Sequence, residues 1–326
     1  MLAAQGHQLF GFSIDIAGNS LYKMAGLEDI FEDESFEDVG DLSALSHAFA
    51  QSDPDVVIHL AAQPLVRLSY EDPIRTFQSN VTGTVNLLEV VRKLNPLTPV
   101  VIATTDKVYT NHGKSIPFSE DDPLGGWDPY SASKASADIA AQSYIRSYGM
   151  DRSAVVRAGN VIGGGDWAED RLIPDLMRSL AKDSSLKVRF PDAVRPWQHV
   201  MDCLNGYLLL AKRLQAGECS GVWNFGPASA ENGKTVAEVI NLASTTWGSE
   251  PNWEVESEEQ PHESHFLMLD SSKARLKLGW TDFFDFPRTI TETVGFYKRT
   301  SEGESERKVL FEQVDDFLKI AELKGS

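Results

Sequence analysis

Short apolar runs alternate along the chain with longer amphipathic stretches. The short runs are rich in β-branched residues and predict buried strands over residues 9–14, 56–61, 100–105, 154–157 and 222–225. The longer stretches predict helices over residues 73–94, 128–148, 172–181, 199–214 and 236–247. This alternation indicates an α/β fold, a doubly wound parallel sheet that helices cover on both faces. Such a sheet binds its ligand at the carboxyl ends of its strands.

The alternation becomes irregular after Gly163. Residues 163–190 predict one helix and one short strand, and residues 250–270 are irregular and acidic. We therefore expect a core of residues 1–162 and 196–226, and a smaller α/β lobe of residues 163–195 and 227–300. Residues 301–326 complete the chain. Their charged beginning, over 300–308, predicts a linker, and apolar residues at helical spacing from Leu310 to Ala321 predict a docked helix.

The composition is that of a globular protein with an acidic surplus. The chain has 326 residues, 30 Lys and Arg against 48 Asp and Glu, and a formal net charge of −18. This balance disfavours nucleic acid, because a duplex-binding surface neutralises phosphates with Lys and Arg, whereas a few placed arginines suffice for a small anionic ligand. No apolar run approaches the ~20 residues of a membrane span, and the first residues lack the pattern of a signal peptide. We expect a cytoplasmic protein that binds neither nucleic acid nor membrane.

The spacing of cysteine and histidine residues predicts no metal site. Cys203 and Cys219 supply neither a disulfide framework nor a zinc-ligand set. His262 and His265 are three positions apart, too close for the His-Glu-x-x-His pattern of a zinc helix. His59 ends a predicted buried strand, so we expect it to be a core histidine with a satisfied hydrogen bond.

A polar cluster follows the predicted strand over 100–105. Thr104, Thr105, Asp106 and Lys107 present hydroxyl groups, a carboxylate and an amine side by side at a strand end, where this kind of sheet binds ligands. The alternative is a polar strand end that turns into a loop, with Asp106 as a turn residue.

Tyr130 and Lys134 are four residues apart at the start of the predicted helix over 128–148, which puts both side chains on one face. A lysine ammonium beside a phenol lowers the pKa of the phenol, and a phenolate is a suitable base for a hydroxyl proton. With 8 tyrosines in the chain, about half a match to this spacing is expected by chance. The polar strand end that precedes the pair favours the functional interpretation.

Four residues are candidates for binding an anionic ligand. Asn160 follows a predicted strand, and Arg195 precedes a helix, where its guanidinium is suited to fork onto a phosphate. Arg171 and Arg189 are weaker candidates in the same lobe. For each arginine the alternative is a solvated or ion-paired side chain.

Several stretches together resemble the extended short-chain dehydrogenase/reductases that act on nucleotide sugars, and within that family the CDP-glucose 4,6-dehydratases. The resemblance covers the chain to about residue 300, and the stretches over 157–167 and 195–200 are the most specific. The resembling stretches are residues 59–70 (HLAAQPLVRLSY), 105–107 (TDK), 128–134 (DPYSASK), 157–167 (RAGNVIGGGDW), 195–200 (RPWQHV), 223–227 (WNFGP) and 278–280 (LGW).

The resemblance implies a Rossmann-type core that holds NAD and a lyase of deoxysugar biosynthesis. NAD would oxidise carbon 4 of the sugar, water would leave across carbons 5 and 6, and the hydride would return to carbon 6. Tyr130 would be the base at the 4-hydroxyl, with Lys134 lowering its pKa and holding the nicotinamide ribose. Thr105 would bond the 4-oxygen, Asp106 would protonate the leaving hydroxyl, and Lys107 would take the carbon 5 proton. A lysine base needs a lowered pKa, which burial or Lys134 would supply.

The resemblance also implies residues that contact the ligands. Asn160, Arg171, Arg189, Arg195 and His199 are expected at the substrate, CDP-glucose. The residues expected at NAD, besides Tyr130 and Lys134, are Asp15, Asp41, Leu42, Leu60, Ala61, Ala62 and Thr104.

The chain departs from the family at its beginning. A dinucleotide fold normally opens with a strand, a glycine-rich turn and a helix whose N-terminus holds the pyrophosphate. No such turn precedes the strand over 9–14, and glycines 163–165 follow a different strand. Either this fold uses no such turn, or roughly 20–30 residues with the first strand belong upstream. In the second case a polypeptide that starts at Met1 is expected to fold poorly and to bind NAD weakly.

Three alternatives stay open: a dehydratase of another nucleotide sugar, an epimerase, or a non-catalytic remnant. Asp106 and Lys107 argue against an epimerase, because the resemblance gives epimerases no acid and base after the hydroxyl residue. The helices over 73–94 and 128–148 resemble those that pair in family dimers, so we expect a homodimer or a higher homo-oligomer. The alternative is that the apolar faces of these helices only cover the sheet.

Overall fold

The computed structural model describes residues 1–14, 16, 18–113, 115–228, 233–257 and 264–325, with the side chains of 324 and 325 left aside. The strands are β1 Phe10–Ser13, β2 Asp33–Phe36, β3 Val57–His59, β4 Val100–Ala103, β5 Ser153–Ala158, β6 Val161–Ile162, β7 Leu186–Val188, β8 Val194–Arg195, β9 Gln198–His199, β10 Gly221–Phe225, β11 Lys234–Thr235 and β12 Trp253–Val255. The helices are α1 Leu21–Met24, α2 Leu42–Ser52, α3 Val66–Glu71, α4 Pro73–Phe77, α5 Gly83–Leu94, α6 Pro129–Tyr148, α7 Leu172–Ala181, α8 Val200–Gln215, α9 Val236–Trp247, α10 Ser272–Leu278, α11 Phe286–Ser301 and α12 Glu306–Gly325.

A four-stranded parallel sheet in the order β10-β5-β4-β3 forms the centre. Its side chains alternate between two cores. Val100 and Ile102 of β4 pack with α2, α5 and α6 on one face, and Val101 packs with α8 and α10 on the other. Because apolar residues serve both faces, the strands read as continuous apolar runs. The predicted doubly wound parallel sheet is confirmed.

Strands β1 and β2 form a separate parallel pair. No ladder among the described residues joins this pair to β3, which is hydrogen-bonded to β4 on one side only. Val57 and Ile58 of β3 are half-buried, whereas the side chains of β5 are all buried. The sheet of the described residues therefore comes in two parts.

A second apolar core lies among α7, α9, α11, β7 and β12, where the sequence predicts the smaller lobe. One boundary of that prediction is wrong. Ala274, Leu278 and Trp280, which the sequence assigns to the lobe, pack against Tyr207 and Trp223 in the core of the central sheet.

The chain end is more helical than the sequence predicts. Helix α11 runs to Ser301 and α12 begins at Glu306, so the predicted linker over 300–308 is wrong and only four residues connect the two helices. Phe317 of α12 is fully buried, and Arg307 pairs with Asp29 at 2.8 Å. These contacts dock the helix, as predicted. The predicted helix over 73–94 is interrupted by a π-helical turn, Gln78–Thr82.

None of the helices that the structure describes is both long enough and apolar enough to cross a membrane.

Candidate active site

A cleft of about 930 Å³ opens beyond the carboxyl ends of β4 and β5. This is the edge at which a doubly wound sheet binds its ligand. The structure brings most of the predicted catalytic and substrate residues to this cleft. Those that line it are Thr105, Asp106, Lys107, Tyr130, Asn160, Arg171, Arg189 and Arg195.

Thr105 and Asp106 begin a single 3-10 turn, Asp106–Val108, directly after β4. The Thr105 Oγ1 donates to Asp106 Oδ1 at 3.0 Å and accepts the Lys107 amide at 3.3 Å. Both side chains are buried. The other carboxyl oxygen, Asp106 Oδ2, is buried with no hydrogen-bond partner among the described residues. Burial raises the pKa of Asp106 to about 6, against the opposing charge of Lys107 and Arg195. This carboxyl group therefore keeps its proton to a higher pH than an exposed aspartate does.

Tyr130 lies near the N-terminus of α6, where Pro129 and the capping carboxylate of Asp128 begin the helix. The Tyr130 hydroxyl lies close enough to Thr105 for that side chain to lower its pKa, but loss of solvation is the larger influence and raises the pKa to about 12. Burial is the largest influence on the Tyr130 pKa, and the lowering of that pKa by Lys134 stays a prediction.

Lys134 lies behind the cleft, one helical turn after Tyr130. Its Nζ donates to the carbonyl of Ala103 at 2.7 Å. Burial lowers the pKa of Lys134 to about 8, with the nearby Asp138 charge opposing. Its ammonium lies near the His59 ring, which bonds to Thr84 Oγ1 at 3.0 Å and is the core histidine that we predicted.

The residues predicted to contact NAD lie at several places. Leu60 directly follows β3 and is 55% exposed, and Ala61 and Ala62 beside it are half-buried. Asp41 was expected at the end of a strand, but it lies at the start of a helix. It begins α2 and accepts the amides of Ser43 and Ala44, with Leu42 exposed next to it. Asp15 lies outside the described residues.

The Thr104 prediction needs correction. Its hydroxyl donates to Asp138 Oδ2 at 3.0 Å and to the carbonyl of Val156. These bonds turn the hydroxyl into the interior between β4, β5 and α6, and Thr104 does not line the cleft. The cause is alternation along the strand, which turns Thr105 outward and Thr104 inward.

The predicted anion-binding arginines occupy different environments at the cleft. Arg195 is buried, and its charge acts on Asp106. Arg171 pairs with Asp166 at 3.1 Å and is 40% exposed, and Arg189 donates to the carbonyl of Asp170 at 3.4 Å. All three guanidinium groups belong to residues that line the cleft.

The prediction that His199 contacts substrate is not supported by its position. The imidazole is buried, its Nδ1 accepts the amide of Met201 at 3.3 Å, and its ring packs against Phe284. His199 is the N-cap of α8. A residue that precedes a helix has its side chain available for this role, and that role keeps the imidazole out of the cleft.

Two buried groups that the sequence did not assign support the site. Asn80, in the π-helical turn, accepts the Gln63 amide and donates to Ser133 Oγ at 2.8 Å, which joins the loop after β3 to α6. Asp138 forms an ion pair with Arg157. The spacing of Asp138, four residues after Lys134 on the same helix, was the signal available in the sequence.

In the described part of the chain no group of His, Cys, Asp and Glu side chains is arranged to hold a metal ion.

The family model described as GDP-mannose 4,6 dehydratase matches residues 4–293. The chain belongs to this family. It is 39% identical to the CDP-glucose 4,6-dehydratase of Salmonella typhimurium, over 97% of this chain and 91% of that protein. It is 32% identical to a dTDP-glucose 4,6-dehydratase of Streptomyces griseus, over 75% of this chain and 72% of that protein.

A solved structure has the same fold as this chain. The dTDP-glucose 4,6-dehydratase of Bacillus anthracis in complex with NAD is 26% identical and superposes with a TM-score of 0.78. The match covers 91% of this chain and 90% of that chain. The Rossmann-type α/β fold and the family resemblance predicted from the sequence are confirmed. The family is one of enzymes, as predicted.

Proposed function

We propose that the protein is a CDP-glucose 4,6-dehydratase, a hydro-lyase that converts CDP-glucose to CDP-4-keto-6-deoxy-glucose. The observation that carries this proposal is one cleft that Tyr130 lines together with the turn that presents Asp106 and Lys107 after Thr105. Similarity to the Salmonella enzyme over nearly the whole chain supports cytidine as the base of the substrate.

The chemistry follows from proton positions. In this proposal Tyr130 reacts as its phenolate, which the neighbouring Lys134 charge favours, and accepts the 4-hydroxyl proton, while Thr105 donates a hydrogen bond to the 4-oxygen. Once carbon 4 is a ketone, the proton on carbon 5 becomes acidic, and Lys107 removes it. Lys107 returns a proton to carbon 5 when hydride reaches carbon 6. Asp106, whose pKa burial raises to about 6, gives its proton to the hydroxyl that leaves carbon 6 as water.

The residues at the nicotinamide half of the site fit NAD. The exposed Leu60 and the half-buried Ala61 and Ala62 form an apolar wall at the end of β3. The buried amine of Lys134 is held near Thr105 by the carbonyl of Ala103. Asp41 and Leu42 at the exposed start of α2 are the proposed adenosine contacts. When bound, NAD supplies the hydride transfer, away from carbon 4 and back to carbon 6.

The substrate diphosphate is held by arginines in this proposal. Arg195, Arg171 and Arg189 line the cleft in a chain whose net charge is −18. Guanidinium groups bind phosphate oxygens with paired hydrogen bonds, and Asn160 lines the same cleft for the sugar.

Several wider properties belong to the same proposal. The core of residues 1–162 and 196–226 holds NAD, and the lobe of 163–195 with 227–271 and 281–300 holds the nucleotide sugar. The protein is a homodimer through α4, α5 and α6, a surface on which Ile74 is 71% exposed and Ile139 is 55% exposed. It works in the cytoplasm, a location that suits the free Cys203 and Cys219.

The test is incubation of the purified, NAD-supplemented protein with CDP-glucose, UDP-glucose and dTDP-glucose in parallel, with the products weighed by mass spectrometry. Loss of one water from CDP-glucose, faster than from the other two, is expected. Faster loss from another nucleotide sugar reassigns the substrate. A product of unchanged mass and inverted carbon 4 makes the protein an epimerase, and no reaction with any of them overturns the proposal.

A further inference from the structure

The most deeply buried ion pair described in this chain lies beneath the cleft. Asp138 and Arg157 are 0% and 1% exposed. The Arg157 Nε donates to Asp138 Oδ2 and Nη2 donates to Oδ1, both at 2.8 Å. Arg157 Nη1 donates to the Tyr109 hydroxyl and to the carbonyl of Glu120. Two parallel hydrogen bonds between a guanidinium and a carboxylate fix both side chains in one orientation.

The remaining lone pairs of Asp138 accept two further hydrogen bonds, one of them from another element. Thr104, at the end of β4, donates to Oδ2 at 3.0 Å. Gln142, on the next turn of α6, donates to Oδ1 at 2.7 Å. The carboxylate thus joins the catalytic helix, the strand end that precedes Thr105 and Asp106, and β5.

Stability alone is a weak reason for such a pair. Two charges that leave water lose hydration energy which their attraction seldom exceeds, and apolar residues of similar volume often stabilise a fold as well. What the pair supplies that apolar side chains lack is a directional link between α6 and β4. Lys134 supplies a parallel link, because it bonds to the carbonyl of Ala103, one residue before Thr104.

We propose that Asp138, held by Arg157 and bonded to Thr104, is a positioning residue that sets α6, with Tyr130 and Lys134, against the turn that carries Thr105 and Asp106. This inference rests on the proposed function, since it concerns the geometry of that reaction. A displacement of about 1 Å between reacting groups costs roughly a hundredfold in rate.

Asp138 also carries a negative charge that raises the pKa of Lys134 against the effect of burial. The groups that face Lys134 are the His59 imidazole from β3, the carbonyl of Ala103 from β4, and Asp138. His59 is neutral because burial and the Lys134 charge lower its pKa to about 3. Removal of the Asp138 charge leaves Arg157 nearby and favours the neutral amine of Lys134.

The test compares two variants that each remove one hydrogen bond from the same carboxylate. T104V removes the bond from the active-site strand, and Q142L removes the bond from the far side. Both leave the ion pair in place, so both are expected to fold, with similar unfolding midpoints. We expect T104V to lower kcat for CDP-glucose about tenfold or more with KM little changed, and Q142L to leave both within about twofold. Equal kcat values for the two variants would overturn the proposal.

D138N supplies a second arm through the pH profile. It is expected to lower kcat and to move the alkaline limb of kcat to lower pH, and a folded D138N with the wild-type profile would contradict the proposal. If D138N does not fold, the comparison of T104V with Q142L decides.

Failure of the proposed function is distinguishable from failure of this inference. If another nucleotide sugar is the substrate, the same comparison is made with that sugar. If no sugar reacts, the Asp106 carboxyl is titrated by carbon-13 NMR in both variants. A midpoint displaced from the wild-type value in T104V alone supports the positioning role, and equal midpoints overturn it.

Discussion

The carboxyl of Asp106 lies against the α-carbon of Gly159. A Cβ at position 159 would approach Asp106 Oδ2 to 3.1 Å and the Pro196 Cγ to 2.2 Å. The residue after β5 is therefore small so that the carboxyl oxygen without a hydrogen-bond partner has room at the floor of the cleft. Glycine here serves close approach rather than an unusual backbone angle.

The G159A variant tests this contact. The added methyl group collides with the Pro196 ring and displaces either that ring or Asp106, so we expect kcat to fall about tenfold to a hundredfold. G295A, in the interior of α11 where a Cβ meets nothing within 4 Å, is the control and is expected to keep activity and gain up to about 1 kcal/mol in unfolding free energy. Wild-type kcat in G159A would contradict the assignment of Asp106.

The D106N variant separates the steps of the reaction. Without the acidic proton, water loss is expected to slow by about 10²- to 10⁴-fold. Removal of the carbon 5 proton depends on Lys107 and Tyr130 and persists. Incubation in deuterium oxide measures both: D106N is expected to exchange deuterium into the substrate at carbon 5, and Y130F is expected to stop exchange as well as water loss. No exchange in D106N would place Asp106 at an earlier step.

The same carboxyl links stability to pH. Its pKa is raised in the folded protein, from 3.8 to about 6, so the folded state binds more protons than the unfolded state within that window. Stability is therefore fully present below about pH 4 and is lost as pH rises through about 6, by about 3 kcal/mol. We expect D106N to unfold at a higher temperature than wild type at pH 8, with a smaller difference at pH 4, in thermal scans. A wild-type advantage at pH 8 would show that the buried carboxylate is stabilised by other groups.

Arg171 is expected to act on substrate binding. It is 40% exposed, lines the cleft and forms an ion pair with Asp166. R171Q should raise KM about fivefold to tenfold with little effect on kcat, and the loss should shrink as salt rises. R213Q removes an exposed arginine that pairs with Glu218 and does not line the cleft, and it should leave both constants unchanged. An equal effect of the two variants would assign the change to net charge alone.

The two parts of the sheet should differ in local stability. Among the described residues, β1 pairs with β2 alone and carries half-exposed side chains, whereas β4 lies between β3 and β5 with mostly buried side chains. A two-stranded ribbon is marginally stable in water. We expect the amides of Phe10–Ser13 to exchange hydrogen at least tenfold faster than those of Val100–Ala103, measured by mass spectrometry. Equal exchange rates in the two strands would show that β1 unfolds only when the whole protein unfolds.

Much of the fold could be predicted because parallel strands buried on both faces are continuous apolar runs. The strands β4, β5 and β10 and the helices α6, α7 and α9 lie within about two residues of their predicted bounds. Helix α2 and strand β2 were missed. Strand β2 has the sequence DESF, with polar residues at three of its four positions, so it lacks the apolar run that predicts a buried strand.

The sequence alone determined which residue types meet at the cleft. Thr105 and Asp106 follow a strand and Tyr130 begins a helix, and the local sequence pattern predicts both ends. Tertiary structure decided their states. The burial that raises the pKa of Asp106 and Tyr130 comes from β5, α6 and the loop at Pro196 packing together, and desolvation depends on distant segments that no local pattern contains. Tertiary structure also directed Thr104 inward and paired Asp138 with Arg157, since each of those partners lies on another element of the fold.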